Sequence, residues 1–198
     1  MKTLIDPNRL ERIKLYTKLA NCLDGNLAEV GVYKGGSAEV IASNKSPEKK
    51  LFLFDTFEGM PETDFRDNVH KRKDFNNTSY QEICQHFHKH QNVFVHKGAF
   101  PHKNYNFVQD EIFSLVHLDV DIYKSYRDCL NFFYPRMVHG GFIIMDDYNA
   151  PSCLGAKLAI NEFMKDKKEY LIWPQASQII FIKNGNPTFS TFFPKCLS

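Results

Sequence analysis

The sequence predicts an α/β fold: a mostly parallel central sheet with an antiparallel edge strand and helices on both faces. Short apolar runs alternate with amphipathic stretches along the chain, the pattern of strands joined by crossover helices. Several of those runs stop at glycine or aspartate, as "EVGV", "LFLFD" and "FSLVHLD" do. The last two runs, "YLIWP" and "SQIIFIKNG", follow one another with no helical stretch between them, which marks an antiparallel pair.

The elements follow in order. "PNRLERIKLYTKLANCLDG" sets Leu10, Ile13, Leu15, Leu19 and Leu23 near helical spacing and meets Gly25, so residues 1–25 hold an N-terminal helix. "NLAEVGV" is a buried-type strand, "GGSAEVIASNK" a helix and "KLFLFDT" the second strand. Residues 58–90 turn polar, with Pro61, Asp64, Asp67, Asn76 and Asn77; they predict a mobile loop leading into a helix near Ser79–His88. "NVFVHKG" and "IFSLVHLDV" are the third and fourth strands, and "SYRDCLNFFYPRM" is a helix that Pro135 limits. "GGFIIMDDY" is the fifth strand and "GAKLAINEFMKD" the last helix, before a closing pair whose Trp173 and Pro174 read as core. Nothing resembles a linker, so residues 1–198 read as one domain.

Composition narrows the function classes. A net charge of +2 on 198 residues gives no strong attraction for polyanions, so neither nucleic acid nor a membrane surface is expected as a partner. A homo-oligomer stays open. Five cysteines without a CxxC argue against a zinc-thiolate site and a disulfide framework. The N-terminus becomes charged too early for a signal peptide, and the expected compartment is the cytoplasm.

The residues at the strand ends carry the chemistry, because open parallel sheets bind ligands beyond their carboxyl edges. "EVGVYKGGSA" places Glu29, Gly31, Tyr33, Gly35 and Ser37 in a strand-to-helix turn. It is neither a dinucleotide fingerprint, which needs glycine at Val32 or Tyr33, nor a phosphate loop. Asp55 ends the second strand, where a carboxylate accepts both hydroxyls of a ribose. Together Gly31 and Asp55 suggest an adenosine-bearing ligand without a pyrophosphate, and S-adenosylmethionine fits. Glu29 or a neighbouring backbone group would face its ammonium. Phe57, beside Thr56, would pack on the adenine, with Gly98, Ala99 and Phe100 lining the same side. Downstream, Asp119, Asp146 and Asp147 offer three oxygens to Mg²⁺. Asp119 and Asp121 are the candidate proton acceptors; tight-turn and helix-cap readings of these acids stay open.

The blocks "NLAEVGVYKGGSAEVIA", "LFDTFEGMPE", "HLDVDIYKSYRDCLNFFYPRMVHGGFIIMDDYNAPSCLGAKLAINEF" and "SQIIFIK" resemble the macrocin O-methyltransferase family. That resemblance implies a Rossmann-like class I methyltransferase fold and a metal- and S-adenosylmethionine-dependent enzyme that methylates sugar hydroxyls on natural products. It implies Glu29, Gly31, Ser37, Asp55 and Phe57 around the cofactor, and Asp119, Asp146 and Asp147 around Mg²⁺. Catechol-type enzymes of similar fold place lysine where this chain has Ile122, so no lysine base is expected. The alternative is a nucleotide-sugar glycosyltransferase holding its metal on Asp119 and Asp121. Tyr148 and "PSCLG" would wall the acceptor pocket. His117 reads as packed, and His86, His88 and His90 as a solvated basic surface.

Overall fold

The computed structural model describes residues 2–103, 105–172 and 177–184. Seven strands form one sheet: β1 (Asn26–Val30), β2 (Leu51–Asp55), β3 (Val93–Lys97), β4 (Phe113–Leu118), β5 (Met137–Met145), β6 (Tyr170–Ile172) and β7 (Ile179–Ile182), in the order β3-β2-β1-β4-β5-β7-β6. Pairing is parallel from β3 to β5, whereas β7 runs antiparallel to both β5 and β6. The expected edge is therefore present. Trp173 and Pro174 lie outside the described residues.

Among the described residues, five α-helices cover the sheet: α1 (Pro7–Ala20), α2 (Gly36–Asn44), α3 (Tyr80–Phe87), α4 (Tyr123–Phe133) and α5 (Leu154–Met164). Alternation along the strands divides the core in two. Ala28, Val30, Phe52, Phe54, Val116 and Ile143 face α4 and α5, while Leu27, Leu51, Leu53, Leu115 and Ile144 face α1 and α2. Helix α1 starts where Asp6 accepts from the N–H groups of Asn8 and Arg9 with Pro7 at its first turn. It ends before Gly25, whose φ of +91° belongs to the entry into β1 instead. No described helix is long and apolar enough to cross a membrane. Cys84, Cys129 and Cys153 are free thiols.

The span between β2 and α3 has no helix or strand, yet it is tied down. Met60 N–H donates to Asp74 O at 2.7 Å, and Lys73 N–H donates to Met60 O at 2.8 Å, so the loop closes on itself. Asp67 then crosses to α4 and accepts from Tyr123 N–H at 2.9 Å, capping that helix from a distant part of the chain. Gly155 leaves room for it: a Cβ there would lie 2.0 Å from Asp67 Oδ1.

Candidate cofactor cleft and acidic centre

The carboxyl ends of the parallel strands open onto a cavity of ≈ 340 Å³. Its wall joins the turn after β1 (Gly31, Tyr33, Ser37), the end of β2 (Asp55, Thr56), the loop after β3 (Gly98, Ala99, Phe100), and Asp119, Asp121 and Asp147 after β4 and β5. Segments far apart in sequence complete it: Leu4 and Ile5 at the N-terminus, Arg9 on α1, Met60, His70 and Phe75 from the long loop, and Cys153.

Gly31 has a φ of +93°, and a Cβ there would sit 1.8 Å from the Asp119 carbonyl oxygen. Its missing side chain thus lets the ends of β1 and β4 touch, beyond any room it leaves for a ligand. At the next strand end, Asp55 Oδ2 accepts from Tyr33 N–H at 2.7 Å and Oδ1 accepts from Phe57 N–H at 2.8 Å. A carboxylate has about four acceptor positions, so Asp55 fixes two turns and keeps capacity for hydroxyls in the cavity.

Four expected site residues lie elsewhere. Glu29 is fully buried, and its Oε1 is 2.7 Å from His117 Nδ1. The two are register partners on β1 and β4, so the pleat aims both into the face under α1 and away from a ligand's ammonium. Phe57 is buried in the core beside Tyr80, with ring centroids 5.3 Å apart, and does not line the cavity. Gly35 takes φ +77° as the N-cap of α2, and its role is that turn. Asp146 and Asp147 are consecutive just past the end of β5, and they turn to different partners. Asp146 meets Arg9 Nη1 at 3.1 Å and Gln178 Nε2, whereas Asp147 Oδ2 lies 2.8 Å from Tyr126 Oη and accepts from Asp121 N–H at 3.0 Å.

The carboxylates that converge are therefore Asp119, Asp121 and Asp147, each with an oxygen within 4.8 Å of the others. Burial first, and then mutual repulsion led by Asp147, pushes Asp119 and Asp121 well above the ordinary carboxylate range. Asp147 is raised too, by burial and then by Asp146. Asp146 goes the other way. Burial opposes its charge, but His117, Arg9 and Gln178 outweigh that and hold its pKa down. His117 itself is raised well above 6.5, because Asp146 and Glu29 prevail over the cost of burial. Three mutually repelling carboxylates with only oxygen donors fit a hard dication such as Mg²⁺. Asp121 also carries a φ of +57°, a strained value for a non-glycine residue, and its Oδ1 lies 3.6 Å from both His70 Nε2 and Cys153 Sγ. No local pattern marks Arg9 or His70, since each reaches the site through contacts distant in sequence; Ser152 and Cys153 of "PSCLG" do line the cavity, whereas Tyr148 is buried with its hydroxyl on Asn161 and does not.

Fold and site together define a class: the class I methyltransferase fold, with its ligand cavity at the carboxyl edge of a 3-2-1-4-5-7-6 sheet. The chain belongs to the Macrocin-O-methyltransferase (TylF) family, whose model matches residues 1–171. It is 25% identical over 181 residues to the 8-demethyl-8-(2,3-dimethoxy-alpha-L-rhamnosyl)-tetracenomycin-C 4'-O-methyltransferase of Streptomyces olivaceus, covering 78% of this chain and 65% of that one. It is 26% identical over 178 residues to the demethyldecarbamoylnovobiocin O-methyltransferase of Streptomyces niveus, covering 81% and 67% respectively. The solved structure of the O-methyltransferase NovP superposes with a TM-score of 0.78 at 24% identity, over 92% of this chain and 82% of that one. The chain thus spans about two thirds of the length of these curated relatives.

Proposed function

We propose that this protein transfers the methyl group of S-adenosylmethionine to a hydroxyl of a sugar, on a glycosylated small molecule, with a divalent cation at Asp119, Asp121 and Asp147. The observation that carries this reading is the cavity itself: a ribose-type carboxylate, Asp55, on one wall and three converging carboxylates on the other. The family match supports it, as do the two relatives named as O-methyltransferases, the first of them of a rhamnosyl-bearing tetracenomycin. A nucleotide-sugar transferase could use the same acids and the same ribose contact, and it is the family match that favours methyl transfer over it.

Asp55, with Gly98 and Ala99, would hold the adenosine part, while Met60, Phe75 and Phe100 supply apolar area for the base. When bound, a divalent cation supplies acidification of the acceptor hydroxyl and orientation of it toward the sulfonium methyl. Asp119 and Asp121 stand as proton acceptors, with His70 beside Asp121 to carry the proton outward. The turn after β1 and the loop bearing His70 line the cavity and would shield a bound cofactor from water.

The test is methyl transfer from S-adenosylmethionine to a panel of glycosides and nucleotide-sugars, read by mass. Transfer should stop in excess chelator and return with Mg²⁺. Asp121→Asn should weaken the metal dependence more than Asp146→Asn, because Asp146 is spoken for by Arg9 and Gln178. Full activity in chelator would overturn the metal centre; a greater metal defect in Asp146→Asn would return Asp146 to the ligand set.

A further inference from the structure

Histidines at alternate positions leave a helix on different sides, which is why His86, His88 and His90 read as a solvated surface. The folded chain sorts them. His86 on α3 and His90 in the turn after it are four positions apart, and both direct Nε2 at one atom, Glu39 Oε2 on α2, at 2.6 and 3.0 Å. His88 is exposed and outside the group. The second oxygen of Glu39 accepts from Ser43 Oγ at 2.9 Å, which fixes the carboxylate from behind. Lys89 Nζ stands 3.8 Å from that same oxygen.

We propose that Glu39, His86 and His90 form a binding site for a transition-metal dication, with Zn²⁺ the best match, separate from the acidic centre. Two imidazoles and one carboxylate are a donor set for borderline cations; Mg²⁺ prefers oxygen alone. The three ligand atoms lie within 4.8 Å of one another, and all three side chains are partly buried and reachable from solvent. Tetrahedral Zn²⁺ with bonds of about 2.0–2.2 Å needs ligand atoms roughly 3.3 Å apart, so Glu39 Oε2 has to back away from the His90 ring by about 0.3 Å and from the His86 ring by about 0.7 Å, with the two ring nitrogens, within 4.8 Å of one another, adjusting to match. Ser43 stays on the other oxygen and keeps the carboxylate aimed, the role that outer hydrogen bonds play around bound metals. Without the ion, the same contacts form a hydrogen-bonded clasp between α2 and α3. Burial opposes the Glu39 charge, but the bonds from His86, Ser43 and His90 hold its pKa down at about 2.

The position gives the site a consequence. Helix α2 begins at the turn that borders the cavity, where Gly36 and Ser37 line the wall, and α3 ends the long loop that brings His70 and Phe75. A cation here would pin the exit of that loop to the helix beside the cofactor wall.

The experiment uses the full chain without a histidine tag, in excess Mg²⁺ to occupy the acidic centre. Zn²⁺ is titrated by calorimetry and Co²⁺ by its visible absorption. One equivalent should bind, the affinity should fall by about tenfold or more in both His90→Ala and Glu39→Gln, and it should stay unchanged in His88→Ala. Zn²⁺ should also raise the melting temperature of the wild type and leave that of His90→Ala alone. Three results overturn the proposal. The first is no Zn²⁺ binding by the wild type, leaving only the hydrogen-bonded clasp. The second is a loss of affinity in His88→Ala as large as in His90→Ala. The third is wild-type binding by His90→Ala, which moves the ion to the His70, Asp121 and Cys153 group. Glu39→Gln keeps the shape of the site and gives an independent reading if His90→Ala folds poorly. None of these outcomes depends on methyl transfer.

Discussion

At the scale of single residues, Asp55 joins structure to function most tightly. Its carboxylate accepts backbone hydrogen bonds from Tyr33 on one turn and Phe57 on the next, and it also lines the cavity. Removing a charged acceptor from such a place costs roughly 1.5 to 3 kcal/mol. Asp55→Ala should therefore weaken S-adenosylmethionine binding by tenfold or more in calorimetry, and lower the melting temperature as well. Unchanged affinity in a folded variant would put the adenosine elsewhere. The sequence marked Asp55 and Gly31 through their place at strand ends. It did not mark Arg9 or His70, whose partners are fixed only after the chain has folded. Glu29 shows the converse: a charged residue in a glycine turn invited a ligand role, and strand parity buried it against His117.

At the scale of elements, the polar loop before α3 is the one whose behaviour bears on turnover. Asp67 caps α4, and Asn68 donates to Pro151 O at 3.0 Å, so the loop is latched onto the start of both α4 and α5. Losing a cap of this kind costs about 1 kcal/mol. Asp67→Ala should speed limited proteolysis within residues 58–79, and S-adenosylhomocysteine should slow it again by ordering the wall that His70 and Phe75 form. Equal cutting of wild type and variant, with or without ligand, would make the loop a bystander. Polarity and proline content made this segment legible as a loop. The latch was not, because its partners lie on helices far along the chain.

At the scale of the whole molecule, the acidic centre sets how stability responds to pH and metal. Asp119, Asp121 and Asp147 have folded pKa values raised above the unfolded value, so the folded state binds more protons and their contribution is lost as pH rises. His117, also raised, acts in the same direction above its ordinary range. In chelator, the melting temperature should therefore be higher near pH ~5.5 than near pH ~8, and Mg²⁺ should recover more of it at the higher pH. Glu39 and Asp146, both held low, set the opposite slope only at strongly acid pH. A melting temperature that ignores both pH and Mg²⁺ across this range would mean that the three carboxylates do not strain one another. By itself the sequence determined the α/β class and which chemistry-bearing residues end the strands, because periodicity, glycine turns and acidic strand ends are local signals, and its longer motif blocks carried the resemblance to the family. Only the tertiary structure decided which acids meet: just past the end of β5 the chain turns Asp146 toward Arg9 and Asp147 toward Asp121, and the partners that fix each direction lie on α1, α4 and the β4 end, far away in sequence.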